Sequence, residues 1–198
     1  MKVYKTQLIK TVYDIEDLPP PDKKEVAFAG RSNVGKSSFL NAILGIKIAK
    51  VSSTPGKTRS INYYLVNDKY YFVDLPGYGF ANVSKQEKER WNILMNEYFK
   101  NRFSLNAVSL LIDHRHMPQK LDYAMVEWLK DLGIPFLFIL TKSDKLKKSE
   151  KDKLFKDIKS SFSTYGEYIY LPFSSKTKEG LKEVLKTIGE ILGDNDWS

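Results

Sequence analysis

The 198-residue chain contains no cysteine. That excludes disulfides and thiolate metal sites, and it suits a reducing, cytoplasmic setting. Histidine is nearly absent too, with His114 and His116 the only two. No acidic cluster stands beside them at ligand spacing, so both read as structural or loop residues rather than zinc ligands. Long apolar runs are missing. The longest, Ile134 to Leu140, falls far short of the roughly 20 residues a membrane helix needs. The opening Met1 to Thr6 lacks the apolar stretch of a secretory signal. No internal repeat or low-complexity tract is present.

What the chain has in surplus is positive charge, a net +8. Such a balance favours a polyanionic partner, with RNA preferred over a membrane because no basic amphipathic helix stands out. Part of the surplus lies in Lys145 to Lys153, a run that reads equally as a solvated loop and helix face. The length fits one domain with a full core.

Apolar strand-like runs alternate with helical patterns, which implies a mainly parallel sheet covered by helices. Residues 1–23 read as an N-terminal extension packed on a domain spanning 24–198, with the stiff Pro19-Pro20-Pro21 as the boundary. Strands are expected at 25–29, 60–66, 70–74, 107–113, 134–141 and 168–173. The short turn Asn67-Asp68-Lys69 makes the second and third a hairpin, so one strand runs antiparallel. Helices are expected at 36–44, 85–101, 119–131, 150–162 and 178–192. In the third of these, Leu121, Ala124, Met125, Trp128 and Leu129 repeat at helical spacing and form a candidate core stripe. The stretch 46–59 has little periodicity and reads as a functional loop.

Residues 30–37 read Gly-Arg-Ser-Asn-Val-Gly-Lys-Ser, a full match to the phosphate-loop pattern G-x-x-x-x-G-K-[ST]. Gly30 and Gly35 let backbone N–H groups turn inward around phosphates. Lys36 brings a compact positive charge, and the Ser37 hydroxyl is a candidate Mg²⁺ ligand. The strand-like run before the loop and the helix after it supply the context the pattern requires.

Three later motifs complete the set. Asp74-Leu75-Pro76-Gly77 ends an apolar strand, where Asp74 can hold Mg²⁺ through water and the Gly77 N–H can approach a γ-phosphate. Thr141-Lys142-Ser143-Asp144 follows the strand at 134–140. An ionised Asp144 accepts two hydrogen bonds from the N1–H and N2–H₂ of guanine, whereas adenine would leave it unpaired. The Lys142 stem can cover the base plane. Phe173-Ser174-Ser175-Lys176 follows the last strand, and its backbone N–H groups can meet guanine O6. Each motif sits at the carboxyl end of an expected strand, where open α/β sheets place ligands. Together they imply a guanine-nucleotide site.

These motifs resemble the translation-factor-like (TrmE-Era-EngA-EngB-septin) P-loop GTPases. Leu18-Pro19-Pro20, the loop Gly30 to Ser38, Thr54-Pro55-Gly56-Lys57-Thr58, Asp74 to Gly79 and Asp113-His114-Arg115 resemble in particular the EngB (YsxC/YihA) family of bacterial ribosome-biogenesis GTPases. The resemblance covers nearly the whole chain. It implies a Ras-like α/β fold with a six-stranded, mostly parallel sheet, one antiparallel strand and helices on both faces. It further implies a GTP-driven switch that assists assembly of the large ribosomal subunit and supports normal cell division and septation.

Carried over by position, Gly30, Arg31, Ser32, Asn33, Val34, Gly35, Lys36, Ser37 and Ser38 bind phosphates. Gly56, Lys57, Thr58 and Arg59 form the first switch, with Thr58 closing on Mg²⁺. Asp74, Leu75, Pro76 and Gly77 begin the second. Thr141, Lys142, Ser143 and Asp144 read the base with Phe173, Ser174 and Ser175. Lys36, Thr58 and Gly77 carry the catalytic roles. Many Ras-type enzymes place a Gln after this glycine, and this chain has Tyr78, so slow intrinsic hydrolysis is expected. Asn33 is a candidate K⁺ ligand through its side-chain carbonyl, or else a local loop stabiliser. Tyr78, Phe80 and Trp91 either stack on RNA bases or pack the segment behind Gly77.

The expected ligands are GTP or GDP with Mg²⁺. The expected partner is the large ribosomal subunit or its precursor, met by a monomeric chain without membrane or DNA. Two other readings stay open. One is a metabolic phosphate-loop enzyme, which leaves Thr-Lys-Ser-Asp unexplained. The other is a GTPase acting on a division or membrane-associated protein.

Overall fold

The computed structural model describes residues 1–46, 60–79 and 84–194. A seven-stranded sheet forms the centre, in the order β1-β3-β4-β2-β5-β6-β7. The strands are β1 (Thr6–Val12), β2 (Glu25–Gly30), β3 (Ile61–Val66), β4 (Tyr70–Asp74), β5 (Leu105–Asp113), β6 (Phe136–Thr141) and β7 (Tyr170–Pro172). The helices are α1 (Lys36–Leu44), α2 (Lys85–Asn101), α3 (Lys120–Asp131), α4 (Lys148–Ser161) and α5 (Leu181–Leu192).

The expected six strands are therefore seven. Residues 6–12, read from the sequence as part of an extension, add an edge strand paired antiparallel with β3. Because β3 is also antiparallel to β4, β3 alone runs against the other six. The edge strand escapes a pattern-based reading because only Val12 of its seven residues is buried, so no two-residue alternation marks it. A register shift between Leu8 and Lys10 and the Lys10 charge blunt the open edge.

The β3–β4 turn follows its chemistry. Asn67 and Asp68 both take positive φ, 54° and 57°, as a tight right-twisted hairpin requires. The Asn67 amide also ties down the start of the chain. Its Oδ1 accepts from the Tyr4 and Lys5 N–H groups at 3.1 and 3.2 Å, and its Nδ2 donates to the Lys2 carbonyl at 2.7 Å.

Alternate residues of the central strand face opposite layers. Val26 and Phe28 pack with Phe39, Ile43, Val184 and Ile188 of α1 and α5. Ala27 and Ala29 pack with Met95, Val126, Leu129 and Ile158 of α2, α3 and α4. Each large apolar side chain so buried contributes about 1.5–3 kcal/mol. Helix α2 starts where Ser84 and Glu87 exchange the two bonds of a capping box, 3.2 and 2.9 Å.

Helix α3 departs from its expected stripe. Met125 and Leu129 are buried as expected, but Leu121 and Ala124 are exposed. The buried row is Asp122, Met125, Val126 and Leu129. It keeps helical spacing but begins with a carboxylate, which apolar periodicity cannot register.

Candidate guanine-nucleotide site

Five strands, β2, β4, β5, β6 and β7, run parallel and deliver their carboxyl ends to one rim of the sheet. The phosphate loop leaves β2 at Gly30. A Cβ there would stand 2.9 Å from Val34 Cγ1 and 3.1 Å from Leu111, so the loop's close return over β5 requires glycine. Asn33 and Gly35 take φ of 65° and 103° and bring the chain into α1. No side chain caps α1, so its first-turn N–H groups face the rim and favour an anion there.

Lys36, in that first turn, is ion-paired with Asp74 at the end of β4, and both are mostly buried. Around them lies a cavity of about 500 Å³, lined by Ser32, Asn33, Lys36, Ser37, Asp74 and Gly77 among others. The Ser37 hydroxyl and the Asp74 carboxylate bring hard oxygen donors to this wall, the ligand type Mg²⁺ selects. Among the described residues, no group of three or more His, Cys, Asp or Glu could hold a metal by itself.

The Thr141–Asp144 segment is clamped to the phosphate loop. The Thr141 hydroxyl donates to the Val34 carbonyl at 2.6 Å and approaches the Ile112 carbonyl at 3.2 Å. The Lys142 ammonium donates to the Asn33 carbonyl at 2.7 Å and to Asp113 Oδ2 at 2.9 Å. Arg115 holds the same carboxylate with Nε and Nη2, at 2.9 and 2.8 Å. Burial pushes the Asp113 carboxyl up, but the hydrogen bonds from Arg115 and Lys142 outweigh it and hold the group well below the usual carboxylate range.

Asp144 Oδ1 accepts from the Ser174 hydroxyl at 2.8 Å, which joins the two base-side motifs. The Ser143 N–H also donates to the Phe173 carbonyl at 3.1 Å. The Phe173 ring packs on Phe39 at 4.8 Å between centroids, so this residue meets the rim through its backbone. Ser175 borders a second hollow of about 440 Å³ beside α1, with Ser38, Asn41 and Lys176. The structure thus groups Gly30 to Ser38 with Asp74, Pro76 and Gly77, and joins Thr141 to Asp144 with Ser174. The first-switch residues Gly56, Lys57, Thr58 and Arg59, and also Phe80, lie outside the described residues.

Two features were not evident from the motifs. His114 is fully buried, and its Nδ1 lies 2.9 Å from the Ser143 hydroxyl. That hydroxyl donates to the Leu140 carbonyl at 3.1 Å, so the imidazole carries its proton on Nδ1 and stays neutral. Burial, with the nearby Lys151 charge, lowers the His114 pKa. His114 therefore braces the loop that holds Asp144, and its place directly after Asp113 was the only available signal.

The second feature is Tyr78. It is 7% exposed, and its hydroxyl donates to buried Asp122 at 2.9 Å. Trp91 packs partly buried near Trp128. Of the three aromatics offered for stacking on RNA, these two instead pack within the fold.

A phosphate loop, an Asp-x-x-Gly turn and a Thr-Lys-x-Asp segment gathered on one rim of a Ras-like α/β sheet define the P-loop GTPase class. A family model described as "50S ribosome-binding GTPase" matches residues 25–142. A probable GTP-binding protein EngB from Petrotoga mobilis is 93% identical over 196 residues, 99% of this chain and 100% of that one. Its Bacillus subtilis counterpart is 42% identical over 193 residues, 97% and 99% of the two chains. The chain belongs to the EngB family of GTP-binding proteins.

Solved structures agree on the fold. A crystal structure of a probable GTP-binding protein EngB aligns with a TM-score of 0.71 at 23% identity, covering 86% of this chain and all of that one. Era, in complex with MgGDPNP and nucleotides of 16S ribosomal RNA, aligns at 0.64 and 23% identity, over 86% and 57%. Among the described residues no helix is long and apolar enough to cross a membrane.

Proposed function

We propose that the chain is a cytoplasmic, monomeric GTP-dependent switch that hydrolyses GTP slowly and assists assembly of the large ribosomal subunit, and through it normal cell division. The observation that carries the nucleotide half is the clamp of Thr141 and Lys142 onto the phosphate loop. It fixes the base-reading carboxylate Asp144 relative to the phosphate cavity. Lys36 would exchange Asp74 for β- and γ-phosphate oxygens, which match a compact cation equally well. Gly30 to Ser38 would supply backbone donors, and Gly77 a further N–H for the γ-phosphate.

The oxygen donors Ser37 and Asp74, with Thr58, would hold Mg²⁺, which neutralises charge on the phosphates. Asn33 is the candidate ligand for a stimulating K⁺. Slow turnover follows from Tyr78. At the position where related enzymes orient the attacking water, its hydroxyl is already committed to Asp122.

The charge distribution supports the ribosomal half. Residues 1–59 carry eleven Lys or Arg against five Asp or Glu, residues 60–141 carry nine of each, and residues 142–198 carry twelve against ten. The basic surplus therefore lies mostly in the first 59 residues, the stretch that contains the phosphate loop, and suits an RNA phosphate backbone.

The test is co-sedimentation with large ribosomal subunits and their precursors, in GDP and in a non-hydrolysable GTP analogue, with Lys36→Ala as control. Binding that needs the analogue, is lost in the variant and weakens steeply with salt supports the reading. No binding in either state overturns the ribosomal half and turns attention to a division-protein partner.

A further inference from the structure

Tyr78 is held from two directions. Its N–H donates to the Gly30 carbonyl at 3.2 Å, and its own carbonyl accepts from the Ser32 N–H at 2.9 Å and the Ser32 hydroxyl at 3.3 Å. These bonds add a one-residue parallel bridge between the phosphate loop and the segment after Gly77. Its ring hydroxyl reaches α3, where Asp122 Oδ1 accepts it at 2.9 Å. The other carboxylate oxygen, Oδ2, accepts from the Gln119 N–H at 2.9 Å and closes the first turn of α3.

Capping alone does not account for burying this carboxylate. A cap at the surface would serve as well, and Asp122 is only 4% exposed. Burial pushes its carboxyl up, against the Gln119 and Tyr78 hydrogen bonds and the charge of Arg31. A charged group taken out of water in this way costs stability unless its bonds are used. The chain leaves the anchor through Gly79, at φ 79°, where a Cβ would stand 3.0 Å from Leu121 Cδ1. The backbone immediately beyond Tyr78 therefore requires glycine.

We propose that Asp122 is a positioning residue which, through Tyr78, holds the Gly77 N–H in register with the phosphate loop and so sets the preference for a third phosphate over two. The inference rests on the GTP site proposed above, and it assigns α3 a part in sensing nucleotide state. Diphosphate binding, made by Gly30 to Ser38 and the base-side loops, does not use the Gly77 N–H.

The experiment compares wild type, Tyr78→Phe, Asp122→Asn and the double variant in affinity for a fluorescent GDP and a fluorescent non-hydrolysable GTP analogue, with a thermal melt of each. Each single change is expected to weaken the analogue about tenfold, the size of one charge-assisted hydrogen bond. GDP affinity should stay within about twofold, and the double variant should be no worse than the singles. Equal losses for both nucleotides, or a lowered melting temperature with an unchanged ratio, would overturn the anchor and leave Asp122 a packing residue. A wild type that bound neither guanine nucleotide would overturn the site itself, and the anchor with it. Tyr78→Phe keeps the ring, so it remains informative if Asp122→Asn fails to fold.

Discussion

Among the described residues, the ion pairs Glu25–Arg102 and Lys36–Asp74 stand at opposite ends of the sheet's central strands, and the two are built differently. At the amino end of β2, Glu25 is fully buried and its bonding is saturated. Oε1 accepts from Arg102 Nε at 2.7 Å and the Ser104 hydroxyl at 2.9 Å, and Oε2 accepts from the Tyr98 hydroxyl at 3.2 Å. Arg102 spends its other donors on the Pro19 and Pro20 carbonyls, at 2.7 and 3.5 Å. At the carboxyl end, Lys36 and Asp74 hold each other on the wall of an open cavity. A pair whose every bond is satisfied fastens a proline-rich segment to the sheet and has nothing left to exchange. A pair that faces open space can give up its partner for a phosphate or a cation. Similar chemistry serves structure at one end and is open to ligand exchange at the other.

The sharpest way to break the comparison is to remove one partner from each pair. Arg102→Ala leaves Glu25 charged, buried and unpaired, and should lower unfolding free energy by about 3–5 kcal/mol, measured by urea titration. Guanine-nucleotide affinity of the fraction that folds should be unchanged. Lys36→Ala should do the reverse. Turnover should fall about 10²- to 10³-fold, the usual effect of losing one donor to a charged transition state, with little change in urea midpoint. Equal stability losses in the two variants would erase the distinction.

A smaller effect tests the clamp that links base to phosphate. Asp144→Asn gives up the carboxylate proposed to accept two bonds from guanine. GTP should weaken by about 1–3 kcal/mol. Xanthosine triphosphate, whose C2 carbonyl can accept from the new amide, should gain in a competition assay.

The smallest effect is on pH. The folded protein holds His114 neutral, with its pKa lowered, so unfolded chains take up the proton first. Stability is therefore full above the unfolded value of about 6.5 and declines as pH falls below it, by at most about 1.4 kcal/mol per pH unit for one proton. Urea midpoints at pH 7.5 and 5.5 should show a slope that His114→Gln reduces.

The motifs of the candidate site were legible because each is contiguous. Gly30 to Ser37 and Thr141 to Asp144 each gather their polar groups in adjacent residues at a strand end. What was hidden depends on distant partners. Strand β1 exists through pairing with β3, some fifty residues away, and its single buried residue leaves no alternation. Asp122 is a polar residue in the first turn of a helix and so reads as a cap. Only the approach of Tyr78 from another segment reveals its second bond. Glu25 reads as the polar start of a strand until Tyr98 of α2, and Arg102 and Ser104 just after it, arrive from more than seventy residues away.

The most direct test of the site is calorimetric titration of the full chain with GDP and with ADP, in Mg²⁺. GDP should bind at one site and ADP should not bind measurably, with Asp144→Asn narrowing the difference. Equal binding of the two nucleotides, or no heat from GDP, would contradict the assignment of Asp144 and the phosphate loop to one guanine-nucleotide site.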